Sequence, residues 1–256
     1  MPSLTLTALP GIPLVRPGDD LLALTLAGLR AAGLTLQTGD VLAYAQKIVS
    51  KSEGRLVNLA DVTPSARALE LAAVTQKDPR FVEVVLSETK EVLRVRFNTL
   101  IVEHRLGFVC ANAGVDRSNV SAHGAGQAEY LLLLPADPDG ACRRLRESLG
   151  AATGAEVGVL INDSHGRAWR QGTVGVAIGA AGLPALLDLR GKPDLFDYAL
   201  QITQVGLADE LAAAASALMG QADEGRPIVH LRGVPYPFRD GDAQELIRPR
   251  EMDMFR

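Results

Sequence analysis

The apolar residues of this chain come in short runs, none longer than the stretch around Tyr130–Pro135. That brevity limits the fold more than any other feature. A membrane-spanning helix needs about 20 apolar residues in succession, so the runs are read as strands and as the buried faces of short helices. Ser3–Leu9 alternates Leu with Thr or Ala, as a strand does. Val41–Ala45, Glu91–Arg96, Thr99–Glu103, Gly107–Ala111, Tyr130–Leu134, Glu156–Ile161, Gly172–Ile178 and Pro227–Leu231 are further strand candidates. Leu22, Leu26 and Leu29 share one face of a helix that follows Pro17-Gly18-Asp19-Asp20, with an Asp as N-cap, and ends near Gly33. Thr63-Pro64 opens a helix to about Val74, and Asp78-Pro79 opens another to about Leu86. A helix after Asp139, to about Leu149, and an Ala-rich one over Leu207–Met219 complete the set. Strands and helices do not strictly alternate. The expected class is therefore α+β, with mixed or antiparallel sheets and flanking helices, and not a doubly wound sheet. Residues 1–256 are expected to form one domain with room for a smaller inserted subdomain.

Hydrophobic residues make up 47% of the 256, which is enough for a sizeable core, while aromatic residues are only 4%. The core should be aliphatic and packed around small residues. The net charge of −4 comes from 26 basic and 30 acidic side chains spread along the chain. No basic run interleaves with aromatics, which argues against nucleic acid as a partner. A local cationic pocket on an acidic protein still allows an anionic substrate. Cys110 and Cys142 have no partner at metal-ligand spacing, so a reduced, cytoplasmic setting is the economical reading. Met1–Pro10 lacks a basic stretch leading into an apolar one, and neither a secretory signal nor a membrane anchor is expected.

Five segments, read as loops, set ionisable side chains directly against strands. Gln46-Lys47 with Ser50–Arg55 offers two lysines and an arginine for phosphate oxygens, or is a solvated loop. No Walker A pattern is present. Asn112–Val120 carries Asp116 among carboxamides and glycine, suited to a hard cation or simply to an Asx-rich turn. Ile161–Arg167 brings Asp163, Ser164 and His165 to the end of a strand, where His165 is either a base or structural. Asp209-Glu210 complements a helix dipole. Met219–Pro227 is bounded by glycines and is either a closing loop or a flexible connection. Together these residues form an inventory for metal-assisted phosphoryl transfer. Asp116 and Asp163 held close would repel each other and raise one pKa unless a cation lies between them.

The order and wording of these segments resemble the coenzyme F420-0:L-glutamate ligase family. The matching stretches are Gly11–Leu14 with Pro17–Leu21, Ile48–Arg55, Asn112–Val120, Leu133–Gly140, Asp163–Arg167, Gly175–Gly179, Ala208–Glu210 and Met219-Gly220. They run from about residue 11 to about residue 233.

The resemblance implies an unusual ligase fold, an intertwined homodimer and a GTP-dependent acid–amino-acid ligase of coenzyme F420 biosynthesis. Such an enzyme phosphorylates the lactyl carboxylate of the deazaflavin F420-0, and the α-amine of L-glutamate then attacks the acyl phosphate. Further γ-linked glutamates are added in the same way. By the same resemblance Asp116 and Asp163 are catalytic and ligate one divalent ion, Mg²⁺ or Mn²⁺. Ser164 and Gln221 ligate a second, with K⁺ as a further ion. Ile12, Pro13, Leu14, Val15, Gln46, Lys47, Lys51 and Asn119 contact the nucleotide. So does a lid of Met219, Gly220, Gln221, Ala222, Asp223, Glu224, Gly225 and Arg226. Archaeal members carry Thr where this chain has Ser164, and either residue supplies a hydroxyl. Gln221 brings an amide oxygen without charge. A nitroreductase-like domain, fused to this one in some bacterial relatives, is not expected. The competing readings are a metal-dependent nucleotide phosphohydrolase and a non-catalytic nucleotide- or flavin-binding module.

Overall fold

The computed structural model describes residues 2–120, 129–237 and 239–254. Its elements run β1 (Thr5–Ala8), α1 (Leu21–Ala31), β2 (Val41–Ala45), α2 (Gln46–Ser52), β3 (Leu56–Asn58), α3 (Ala66–Thr75), α4 (Pro79–Ser87), β4 (Thr89–Arg96), β5 (Thr99–His104) and β6 (Val109–Ala111). There follow β7 (Tyr130–Leu132), α5 (Pro138–Thr153), β8 (Gly158–Arg167), β9 (Arg170–Ala181), β10 (Leu187–Asp188), β11 (Gln204–Val205), α6 (Leu207–Met219) and β12 (Ile228–Arg232). This is the expected α+β mixture.

The largest sheet has five strands in the order β1-β12-β2-β8-β9. Only the β2–β8 pair is parallel; the other neighbours are antiparallel. The sheet is buried on both faces, which is why β2 reads as an unbroken apolar run. Leu42 and Tyr44 point to the layer made by α1 and α5, where they meet Leu29, Cys142 and Leu149. Val41 and Ala43 point the other way, onto Leu211, Ala212 and Ala215 of α6. The Tyr44 hydroxyl is satisfied in the core by Thr25 Oγ1 at 2.9 Å.

A second core lies between β5 and the helices α3 and α4, built from Leu71, Phe81, Val82, Val85, Leu100 and Val102. It sits on the sheet β4-β5-β6, and β3 pairs with β7 beside it. β10 and β11 form a separate two-stranded ribbon.

Two glycines of β9 allow helices to approach the sheet closely. A Cβ on Gly175 would stand 2.5 Å from the Ala212 carbonyl oxygen of α6, and one on Gly179 would stand 2.7 Å from the Pro138 backbone of α5. Both distances are far inside contact, so the small side chain fixes the layer spacing.

Several local expectations are corrected. The Gln46–Ser52 segment is the helix α2, because β2 runs straight into it and its apolar residues Ile48 and Val49 are buried. Ile161–Arg167 is strand, not loop. A register shift between Ile161 and Asn162 lets β8 continue to Arg167 in a long hairpin with β9. The third helix is capped by Ser65, whose hydroxyl accepts from Ala68 N, so it begins two residues beyond the proline. The fifth is capped by Asp137. Asp139 is instead a buried tie that accepts from Ala180 N and Ala243 N at 2.8 and 2.9 Å. Asp209 likewise accepts from Ala177 N at 2.9 Å, which joins the start of α6 to β9.

Candidate functional site

Where β2 gives way to α2, a cavity of about 650 Å³ opens beside the end of the main sheet. One wall is Ile12, Pro13, Leu14 and Val15, the segment between β1 and α1. Gln46, Lys47 and Lys51 of α2, Asn119, and Asp163 and Ser164 of β8 line it too. The loop Met219–Arg226, from the end of α6 to β12, closes one side. Four of the five segments named from the sequence are therefore brought together with Ile12–Val15, although Ile12 and Arg226 stand 214 residues apart along the chain; Asp209-Glu210 does not line the cavity.

Of the two aspartates, Asp163 lines the cavity, while Asp116 does not and is bonded to Gln46 and Lys47, which do. Asp116 is held by a bridge to Leu132, just past the left-handed Asn112–Gly114 turn. Its Oδ2 accepts from Gln46 Nε2 at 2.6 Å and lies 2.9 Å from Lys47 Nζ. Asp163 is on β8 of the main sheet, with Oδ2 3.0 Å from His165 Nε2. Burial raises the Asp116 pKa, and the charge of Asp163 adds to the rise against the pull of Lys47 and Gln46. Burial also acts to raise Asp163. The His165 hydrogen bond and charge, the Ser164 N–H and Lys47 outweigh it and hold that carboxyl below its ordinary value. The repulsion expected between the pair is thus present at Asp116 and offset at Asp163. Burial and the charge of Lys47 lower the Lys51 pKa.

The Ser164 hydroxyl donates to Gln221 Oε1 at 2.7 Å, and Gln221 Nε2 donates to Ser216 Oγ at 2.9 Å, which ties β8 to the loop. Asn119 Nδ2 donates to the Ala222 carbonyl oxygen at 3.1 Å and fixes the same loop from the other side. Gly220 and Gly225 take positive φ at its ends. Glu224 Oε2 folds back to accept from Ala222 N at 2.9 Å.

Arg16 and Asn162 were assigned no role from the sequence, and both line the cavity. Asn162 is 5% exposed, and its Oδ1 has no hydrogen-bond partner among the described residues. Its position immediately before Asp163 on an apolar strand was the available signal. His165 is placed as a structural partner: it bonds Asp163, and its ring lies 5.5 Å from that of Phe108, which stacks on His104. Among the described residues no group of three or more His, Cys, Asp or Glu is arranged to hold a metal. The donor set is two carboxylates with hydroxyl and amide oxygens, which is the hard-oxygen chemistry of Mg²⁺ or Mn²⁺ completed by a ligand's own oxygens. Those residues fit such an ion. Both thiols are kept neutral: burial, with the charge of Asp163 adding to it, pushes Cys110 up to about 12, and burial pushes Cys142 well above its usual value. Among the described residues no helix is long and apolar enough to cross a membrane.

Two half-buried aspartates, one of them paired with Lys47, with Lys51 a turn further along the same helix and a glycine-bounded loop beside them, make an arrangement suited to a highly charged oxyanion ligand. The family comparison gives that class its particular form. The family model described as F420-0:Gamma-glutamyl ligase matches residues 11–233, and the chain belongs to that family. It is 46% identical over 255 residues to a Methanothermobacter thermautotrophicus protein named Coenzyme F420:L-glutamate ligase, covering 99% of each chain. A Methanopyrus kandleri protein of the same name is 46% identical over 260 residues, covering 100% of this chain and 99% of that one. One from Methanocaldococcus jannaschii is 44% identical over 221 residues, covering 86% of each.

Proposed function

We propose that this protein is a GTP-dependent ligase that joins L-glutamate to coenzyme F420-0 and then extends the product with γ-linked glutamates. The observation that carries the reading is that the family match, residues 11–233, spans the whole cavity lining, from Ile12 to Pro227. A carboxylate is a poor electrophile. The γ-phosphoryl group of the nucleotide passes to an oxygen of the lactyl carboxylate, giving an acyl phosphate and GDP. The glutamate amine, having lost its extra proton, attacks the acyl carbon, and inorganic phosphate leaves as the amide forms.

Asp116 and Asp163 would hold one divalent ion and Ser164 with Gln221 a second, and these ions would neutralise phosphate charge as the phosphoryl group moves. The chain's own cations, Lys47 and Lys51, bind and orient the phosphates. The apolar wall Ile12–Val15 packs against the nucleotide. The loop Met219–Arg226 covers it and excludes water, which would otherwise hydrolyse the acyl phosphate. K⁺ is a further ion of this reading. A cytoplasmic homodimer belongs to it as well. The segment between β10 and β11 exposes Leu195, Phe196, Tyr198 and Ile202, and an apolar patch of this kind marks an interface. Light scattering should give twice the chain mass, falling to the single mass in Leu195→Asp/Phe196→Asp.

The test of the reaction is mass spectrometry of F420-0 incubated with the protein, L-glutamate, Mn²⁺ and GTP. Increments of one glutamyl unit that depend on GTP are expected. GTP hydrolysis indifferent to glutamate and F420-0 would mean a phosphohydrolase instead.

A further inference from the structure

Lys47 holds a position that its neighbours do not explain as simple nucleotide contact. It lies in the first turn of α2, with Nζ 2.9 Å from Asp116 Oδ2. The same oxygen takes the Gln46 amide at 2.6 Å. The charge of Lys47 also acts on Asp163 and helps hold that carboxyl low. The ammonium thus occupies the Asp116 carboxylate that the Gln46 amide also holds. Lys51, a turn further along α2, has no carboxylate partner among the described residues. Burial and the charge of Lys47 lower its pKa.

A divalent ion on Asp116 would share a carboxylate with the ammonium, and like charges so close in a partly desolvated site repel strongly. The ammonium therefore has to leave as the ion arrives. Its flexible four-carbon stem permits that, and a polyphosphate beside Lys51 offers it new oxygens. We propose that Lys47 exchanges the Asp116 carboxylate for a phosphate oxygen when a metal–nucleotide complex binds, so that it makes divalent-ion affinity conditional on nucleotide. This rests on the reading above, in which Asp116 and Asp163 hold a divalent ion beside a nucleoside triphosphate. The coupling is reciprocal: the metal strengthens nucleotide binding by the factor by which nucleotide strengthens metal binding.

The experiment titrates Mn²⁺ into the full chain, following free Mn²⁺ by electron paramagnetic resonance, with and without a non-hydrolysable GTP analogue. In the wild type, Mn²⁺ alone should bind weakly and the analogue should tighten it. Lys47→Met should bind Mn²⁺ alone roughly tenfold tighter or more and lose most of the coupling, within the usual span of such effects. Lys47→Arg keeps a cation there and should stay close to wild type. A purely structural role predicts the opposite sign, with weaker Mn²⁺ binding and a lower melting temperature in Lys47→Met. If Lys47→Met misfolds, Lys47→Gln takes its place in the same titration. Folded Lys47→Met or Lys47→Gln binding Mn²⁺ alone no better than wild type overturns the exchange while leaving the metal–nucleotide reading intact. No Mn²⁺ binding by any protein, with or without the analogue, overturns both.

Discussion

At the scale of single residues, the two aspartates show how environment separates identical side chains. Asp116 is raised by burial and by its neighbour's charge, while Asp163 is held low by His165, the Ser164 N–H and Lys47. Asp163→Asn keeps the shape and removes the charge. Turnover should fall roughly a hundredfold or more, because stabilisation of developing charge is commonly worth several kcal/mol. The rise in melting temperature given by Mn²⁺ with a GTP analogue should shrink. From the sequence, relief of repulsion would make this variant as stable as the wild type or more so. The structure supplies Asp163 with counter-charges, so a modest loss of stability is expected instead. Melting curves with and without Mn²⁺ and the analogue, beside a turnover assay, check each part; unchanged values would mean that Asp163 ligates nothing.

At the scale of elements, β9 shows how a missing side chain sets a layer. Gly175→Ala places a methyl group against the Ala212 carbonyl oxygen, Asn162 Oδ1 and Ser216 Cβ, each at 2.5 Å. Pushing α6 away should cost about 1–3 kcal/mol, seen as a lower midpoint in urea. Because Ser216 also receives Gln221, the same change should weaken nucleotide binding through the loop. Much of this architecture was legible. The Asp19-Asp20 pair, of which Asp20 is the cap, and Asp78 announced their helices, and β2 and α6 fall on the expected residues. What was not legible depended on partners far along the chain. Nothing local says that Asn162–Arg167 stays in a strand, since its pairing is written in Arg170–Ala177. β3 and β11 are too short to carry a period of their own. Most of the residues named by resemblance line one cavity, yet Arg16 and Asn162 match no ligand pattern, and only the folded cavity reveals them.

At the scale of the whole molecule, a few buried charges join the parts. Glu88 closes α4 and accepts from Arg55 at 2.9 Å and from Arg105 at 2.8 Å, with His104 Nε2 at 3.5 Å. Arg55 in turn donates to the Leu134 carbonyl oxygen at 2.9 Å, so the tie spans the segment after α2, the second core and the approach to α5. Burial alone would raise the Glu88 pKa, but His104 and the two arginines bring it from 4.5 to about 2. A lowered carboxylate pKa stabilises the fold fully above the unfolded value, and the contribution is lost as pH falls through the folded one. Stability should therefore drop by on the order of 3 kcal/mol between about pH 4.5 and pH 2 on account of this group. Glu88→Gln should be less stable at neutral pH and should lack that part of the acid slope in urea titrations followed across pH. The order β1-β12-β2 carries a different consequence, one of timing. Among the described residues β1 pairs only with β12, which also pairs with β2 and is formed by residues 228–232. During synthesis β1 emerges long before its partner and stays an unpaired edge until nearly the whole chain has left the ribosome. Such long-range closure is slow and exposes strand edges to aggregation, so refolding should be slow and limited by the arrival of β12.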